Sequence, residues 1–327
     1  MSVQNALEVR DLNISYKVPG GKLRALRDIN LNVPRGEIVG LVGESGCGKT
    51  TLMQTILGLQ SSAAVTESGQ IMLGDTDLLT LRPKQMRNLL GDRISAVFQD
   101  PMKTLNPVLT IGRQMTDIQF RHNISQREKR ARAVEMLQKV RIPDPQSRLD
   151  QYAFEFSGGM RQRIAIAMAL MAEPDVLVAD EPTTALDATL ELTTIDLLRD
   201  LQQDIGCAII FITHHLGVVA ELCQSVNIMY AGEMVESGPT RAVFDAPQHP
   251  YTELLFNCDP AQIPERTRHL PTIGGELPSL INLPPGCVFE GRCPKAFGPC
   301  AEIHPRRVQS GGSNMVKCHL RDPEVPQ

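Results

Sequence analysis

Over the first 245 residues, short apolar runs alternate with amphipathic stretches. The runs at 37–42, 94–98, 176–179, 208–213 and 226–229 are continuous and rich in β-branched residues, the texture of strands buried on both faces. Between them, 50–59, 126–140, 158–172 and 189–204 carry apolar residues at three- and four-residue spacing with Gly or Pro near their ends, which predicts helices. Strands and helices in alternation imply a layered α/β fold with a parallel core sheet. Nearer the start, 6–9, 13–18 and 70–73 alternate with a period of two. They predict an antiparallel sheet beside the parallel core.

The texture changes after about residue 244. More than half of the 23 prolines fall beyond residue 245, and proline breaks helices and removes a ladder donor, so only short elements are expected there. The chain is therefore read as a domain over 1–245, with a helical subdomain at about 100–172, followed by an appended segment, 246–327, that cannot build much core alone. The remaining composition excludes more than it identifies. At 327 residues, net charge −4, 42% hydrophobic and 4% aromatic with no Trp, this is neither a disordered nor a collagen-like chain, and no basic or aromatic surface points to nucleic acid. The longest apolar run, 164–172, is about half of a bilayer span, and the first ten residues lack a charged head followed by an apolar stretch. The chain reads as neither secreted nor membrane-spanning by itself.

Candidate chemistry begins at Gly43-Glu-Ser-Gly-Cys-Gly-Lys-Thr50, which fills the nucleotide phosphate-loop pattern between a predicted strand and a predicted helix. Backbone amides across Gly43, Ser45, Gly46, Cys47 and Gly48 would face the α- and β-phosphates, and Lys49 would reach the β- and γ-phosphates. Thr50 would ligate Mg2+, and Thr51 follows it into the helix. A glycine-rich turn with a chance lysine is the bland alternative, and the flanking elements disfavour it. Downstream, the apolar strand at 176–179 ends in Asp180 and Glu181, where parallel sheets place their ligands. Asp180 is positioned to hold Mg2+, and Glu181 to polarise the water that attacks the γ-phosphate.

Ser157-Gly158-Gly159-Met160-Arg-Gln resembles the signature loop of the ATP-binding cassette (ABC) ATPases. The other family elements stand in order over about 6–257: Tyr16 as the adenine-stacking aromatic, Gln99 after the strand 94–98, Ala185-Leu186-Asp187 after the acid pair, and His214 after the strand 208–213. The resemblance implies a P-loop ATPase with a parallel core sheet, an antiparallel β subdomain and a helical subdomain. It gives Glu181, His214 and Gln99 catalytic roles, with Gln99 also near Mg2+ beside Thr50 and Asp180. Ser157, Gly158, Gly159, Met160 and Asp187 would meet the ATP held by a second homologous ATPase subunit. Where the family usually has Leu and Gln in the signature, this chain has Phe156 and Met160, and His215 follows His214 where Asp is commoner.

The tail carries His249-Pro-Tyr-Thr252, Gly286-Cys287, Arg292-Cys293-Pro294, Cys300 and Lys317-Cys318-His319. It resembles the carboxyl-terminal extension of the dipeptide and oligopeptide importers, a subfamily that includes nickel, opine and some sugar importers. The resemblance implies two ATPases, two transmembrane permeases and an extracytoplasmic solute-binding protein, with this chain peripheral on the cytoplasmic face of the inner membrane. A soluble cassette ATPase of translation or DNA repair is the competing class; it would carry two cassettes or a long coiled coil, and no heptad run occurs here. The last four cysteines, Cys287, Cys293, Cys300 and Cys318, are separated by five, six and seventeen intervening residues. A disulfide framework is unexpected in a chain without an export signal. Zinc usually shows Cys-x2-Cys knuckles, iron–sulfur clusters accept looser spacing, and unligated buried thiols remain a third reading. The resemblance adds an association of such tails with a [4Fe-4S] cluster, with Zn2+ as the alternative.

Overall fold

The computed structural model describes residues 4–100, 104–183, 188–259 and 271–325. Its strands are, in chain order, β1 (Asn5–Val18), β2 (Gly21–Pro34), β3 (Ile38–Val42), β4 (Ala64–Leu73), β5 (Thr76–Asp77), β6 (Ile94–Val97), β7 (Val176–Asp180), β8 (Ala208–Ile212), β9 (Ser225–Tyr230), β10 (Glu233–Pro239), β11 (Arg307–Ser310) and β12 (Asn314–Lys317). The chain divides into two compact units. One comprises the start of the chain to Ala6, Val33–Glu37 and Leu81–Phe211; the other comprises Leu7–Asn32, Ile38–Thr80 and the chain from Ile212 onward.

In the second unit, β2, β1, β4 and β5 form an antiparallel sheet in that order. The two alternating runs expected at 6–9 and 13–18 are halves of one strand. They are joined through a register shift between Arg10 and Asn13, with Asp11 at φ 46°, the extra residue of a bulge that interrupts a period of two. In β2, which the pattern reading missed, Asp28 likewise has φ 47°. A further sheet segment runs β11-β12-β10-β9-β3. Its β3 is buried at all five positions and pairs in parallel with β9 (Val39↔Ser225 to Val42↔Ile228).

The expected Cys/Pro-rich module is not supported as a separate body. Its hairpin β11–β12 turns on Gly311 and Gly312, both at positive φ, and pairs onto β10 through Glu236↔Val316 and Ser237↔Met315. Phe289 from the tail is buried against Tyr230 of β9 and Tyr251 of the helix Pro250–Asn257, with ring centroids 5.1 and 5.4 Å away. Offset and edge contacts of this kind add about 1 kcal/mol beyond area burial. A proline-rich segment gains its apolar contacts by joining an existing core.

In the first unit the strand order is β8-β7-β6, and β6 and β7 run parallel in the register Ile94↔Val176 to Val97↔Ala179. Gln202, on the helix Ala188–Ile205, donates to the Gly36 and Cys207 carbonyls, both at 2.8 Å. The helix Gln126–Lys139 starts where its sequence dictates. Ser125 Oγ accepts from the Glu128 amide at 3.2 Å, and the Glu128 carboxylate accepts from the Ser125 amide at 2.7 Å. This capping box satisfies two donors that a helix start leaves open, and it holds the Glu128 carboxyl below its ordinary range. Among the described residues no helix is long and apolar enough to cross a membrane.

Candidate nucleotide site

The phosphate loop leaves β3 at Val42 and closes onto the helix Lys49–Ile56. Two positions admit only glycine. A Cβ on Gly43 would stand 2.1 Å from the Met229 carbonyl oxygen. Gly48, the residue before the helix, has φ 110°, and a Cβ there would stand 2.8 Å from Met229 Cε. Lys49 is 9% exposed, and its ammonium donates to the Gly43 and Glu44 carbonyls at 2.5 and 3.1 Å, so the side chain lies along the loop. Cys47 is wholly buried beneath it. Burial raises the thiol's pKa, with the Lys49 charge opposing, so this cysteine stays protonated near neutral pH. Ser45, Gly46 and Thr50 are exposed at the rim. Tyr16 lies on β1 opposite Ala64 and is half-buried.

Two residues outside the motif hold this loop. The Glu44 amide donates to the Tyr251 hydroxyl at 3.0 Å, and the Glu44 carboxylate receives both terminal nitrogens of Arg292 at 2.8 and 3.1 Å. The pattern reading missed both. In the same unit, Thr213 just past β8 donates its amide to the Leu41 carbonyl at 3.3 Å, which aligns the end of β8 with the strand that feeds the loop. His214 and His215 follow, their rings edge-to-face at 4.5 Å. His214 is exposed, whereas His215 starts the helix Leu216–Leu222, its amide donating to Thr213 Oγ1 at 3.0 Å.

The acid pair belongs to the first unit. Asp180 ends β7, and Glu181 then adopts φ 45°, a left-handed backbone that costs a non-glycine residue about 1–2 kcal/mol. Gln99 Nε2 donates to Glu181 Oε2 at 2.9 Å across 82 residues of sequence. The strand register explains the meeting. Val97 of β6 pairs with Ala179 of β7, and each of the two candidate residues stands two positions beyond its member of that pair, at the carboxyl ends of adjacent parallel strands. The signature segment lies in the same unit. Ser157 caps the helix Gly158–Leu170, its hydroxyl accepting from the Met160 amide at 3.3 Å. Ser157 and Gly158 are exposed, and a Cβ on Gly158 would have no neighbour within 4 Å. Phe156, in place of the family's Leu, is buried with the Arg148 guanidinium 5.9 Å from its ring centroid. The departure keeps the apolar anchor of the loop. Asp187, with Ala185 and Leu186, lies outside the described residues.

The tail cysteines occupy one region of the second unit. Cys287 donates its amide to the Cys300 carbonyl at 2.8 Å, and the Cys287 thiol feels the charges of Cys300, Cys318 and Cys293. Burial first, then these neighbours, push the Cys287 thiol up to about 12; burial takes Cys318 up to about 11 and raises Cys293 as well. Thiols so shifted are neutral at physiological pH. Among the described residues, no group of three or more His, Cys, Asp or Glu side chains is arranged to hold a metal ion. As they stand, the four thiols do not fit the expected iron–sulfur or zinc site, because soft metals bind thiolates converging on one point.

Comparison with known proteins agrees with this geometry. The ABC transporter family profile matches residues 26–184, and that of the oligopeptide/dipeptide transporter C-terminal region matches residues 235–300. The chain is 43% identical to the dipeptide transport ATP-binding protein DppD of Bacillus subtilis (strain 168), covering 98% of this chain and 96% of that protein. It is 42% identical to the oligopeptide transport ATP-binding protein OppD of the same organism, covering 99% and 91%. Among solved structures, the dimeric ATP-binding cassette MJ0796, in a post-hydrolysis state bound to ADP and Pi, matches with a TM-score of 0.64 at 27% identity, covering 72% of this chain and 99% of that one. This chain belongs to the ATP-binding proteins of the ABC transporter family, in the branch that carries the oligopeptide/dipeptide C-terminal region. It is an ATPase whose hydrolysis is coupled to transport.

Proposed function

We propose that this chain powers the import of di- and oligopeptides by hydrolysing ATP against partner permeases. The contact between Gln99 Nε2 and Glu181 Oε2 carries the catalytic part of this reading, because it orients the carboxylate at the end of the parallel strands where a general base belongs. In this reading the loop amides and Lys49 bind the phosphates of ATP, Tyr16 stacks on the adenine, and Glu181 accepts a proton from the attacking water. His214 contacts the γ-phosphate. Thr50, Asp180 and Gln99 offer the oxygen donors that suit Mg2+, an ion that neutralises charge on the β- and γ-phosphates. Ser157, Gly158, Gly159 and Met160, with Asp187, serve the ATP of a second ATPase subunit. An exposed serine and two glycines at a helix start form an anion site with no cation of its own.

Peptide cargo is supported by the match to the oligopeptide/dipeptide C-terminal region and by the names of the relatives. The working assembly is then two ATPases, two permeases and an extracytoplasmic solute-binding protein, with this chain peripheral on the cytoplasmic face of the inner membrane. Nickel, opine and sugar importers share the same tail and are the alternative cargo classes. Glu181→Gln is expected to bind ATP while turnover falls to background, read by equilibrium ATP binding beside steady-state hydrolysis. Undiminished hydrolysis would sink the base assignment.

For the tail, the gathering of Cys287, Cys293, Cys300 and Cys318 supports a thiol-rich site, while the lack, among the described residues, of three or more side chains arranged to hold a metal ion favours unligated thiols over a [4Fe-4S] cluster or Zn2+. Iron, sulfide and zinc analysis after anaerobic purification separates the three. A brown protein with stoichiometric iron and sulfide would restore the cluster.

A further inference from the structure

Arg292 lies far from the phosphate loop in sequence, yet all five of its N–H donors meet acceptors around that loop. Nη1 donates to Glu44 Oε2 at 2.8 Å and to the Tyr230 hydroxyl at 3.3 Å. Nη2 donates to Glu44 Oε1 and to the Ile273 carbonyl, both at 3.1 Å, and Nε donates to the Gly274 carbonyl at 2.8 Å. The guanidinium also lies 5.7 Å from the Tyr230 ring centroid, and its side chain is only 7% exposed. A planar fork on both carboxylate oxygens is the strongest form of side-chain ion pair. Its origin is equally fixed, because Arg292 closes the short turn Glu290–Arg292 directly after the buried Phe289. The same Glu44 is tied from the other side through its amide to Tyr251.

The motif itself poses an electrostatic problem that this pair resolves. A loop built to hold a polyanion carries a carboxylate at its second position, and an uncompensated negative charge beside the phosphates opposes their binding. We propose that Arg292 is a positioning residue of the phosphate loop: by neutralising and fixing Glu44, it lets the carboxyl-terminal segment set the affinity of the site for ATP. Arg292 touches no phosphate in this scheme and acts only through Glu44. The tail is thereby a working part of the nucleotide site, and any change that displaces the turn Glu290–Arg292 is read at the loop. The proposal rests on the phosphate-loop reading given above.

The test is a charge cycle in the full-length chain, with equilibrium ATP binding and steady-state hydrolysis as readouts and the urea unfolding midpoint as the check on folding. Arg292→Gln is expected to raise Kd and KM for ATP about tenfold with a smaller change in kcat, because it leaves a partly buried carboxylate unpaired. Adding Glu44→Gln removes that charge and is expected to bring Kd back to within about threefold of wild type. Arg292→Lys keeps the charge, loses the fork, and is expected to fall between. An unchanged Kd in a folded Arg292→Gln protein overturns the proposal, as does a double variant, folded as well as the single, whose affinity is not restored; a bracing role alone predicts that second result. Lys49→Ala separates the two layers of argument. If it binds ATP normally, the loop reading has failed, whereas its loss of binding beside an unaffected Arg292→Gln leaves that reading intact and refutes only the role of Arg292.

Discussion

The phosphate loop and the signature loop are both glycine-rich segments at helix starts, and they are built in opposite ways. At the phosphate loop, the Met229 carbonyl fills the space beside Gly43, Lys49 lies along its own backbone, and Tyr251 and Arg292 grip Glu44. At the signature loop, the Ser157 hydroxyl makes one capping contact, Gly158 faces open space, and Phe156 is buried beneath the segment. The contacts that brace the phosphate loop all come from its own unit. The signature loop presents donors outward, as a surface does when what completes it arrives from elsewhere, and this is the physical content of assigning it to a second subunit's ATP.

The contrast breaks most readily under substitution of the two anion sites. Lys49→Ala is expected to lose ATP binding and about three orders of magnitude of turnover, whereas Gly158→Asp is expected to lose about a hundredfold in turnover, the scale of one misplaced oxyanion donor, while single chains at dilute concentration still bind ATP. Equal losses of binding in both variants would mean that the two loops serve one nucleotide within one chain. Stability comes next. Gly43→Ala must move either the loop or β9, at a cost of about 3 kcal/mol, and Gly158→Ala, with room for its methyl group, is expected to stay within about 0.5 kcal/mol; urea unfolding measures both. The smallest effect concerns acid.

His249 is fully buried, and its Nδ1 accepts the Tyr251 amide at 3.0 Å, which caps the helix that brings the Tyr251 hydroxyl to Glu44. Burial, against the opposing charge of Glu233, depresses its pKa to about 3. The ordinary value lies near 6.5, so between these limits the unfolded chain binds the extra proton. The stability contributed by neutral His249 is complete above about pH 6.5. It falls by about 1.4 kcal/mol for each unit of acidification toward the folded value. Unfolding midpoints at pH 7 and 5 in wild type and His249→Gln check this; an equal slope in the variant would remove His249 as the cause. Should ATP binding weaken along with stability, the brace on the phosphate loop is titrating, and the signature loop offers no counterpart.

How far the chain could be read follows from how local each signal is. The phosphate loop and the acid pair were legible because their residues are consecutive, such as a glycine where a Cβ would strike a carbonyl; the helix at Gln126–Lys139 was legible from its apolar spacing, and its Ser125–Glu128 cap went unread. The strand β1 was read as two runs, since Asp11 in a left-handed conformation breaks the period that identifies a strand, and β2 was not read at all. The tail read as an appended module without much core of its own; proline content reports what a segment cannot build alone but not where it finds support, and β12 builds on β10. Arg292 and Tyr251 were invisible as parts of the site, for the contacts that matter reach across 248 and 207 residues. The four tail cysteines were legible as a group, and their separation from metal geometry was not.

The shared offset of Gln99 and Glu181 from the paired residues Val97 and Ala179 gives the two-residue steps at these strand ends the character of a length standard. Replacing Phe98 alters what its step presents, but leaves both carboxyl-terminal residues level with each other. Deleting one residue from a single step would put base and amide out of phase by a full strand rise, about 3.3 Å, more than the contact between them spans. The same deletion made in both strands would keep them in phase. The contact between Gln99 and Glu181 is in this respect intolerant of unequal counting.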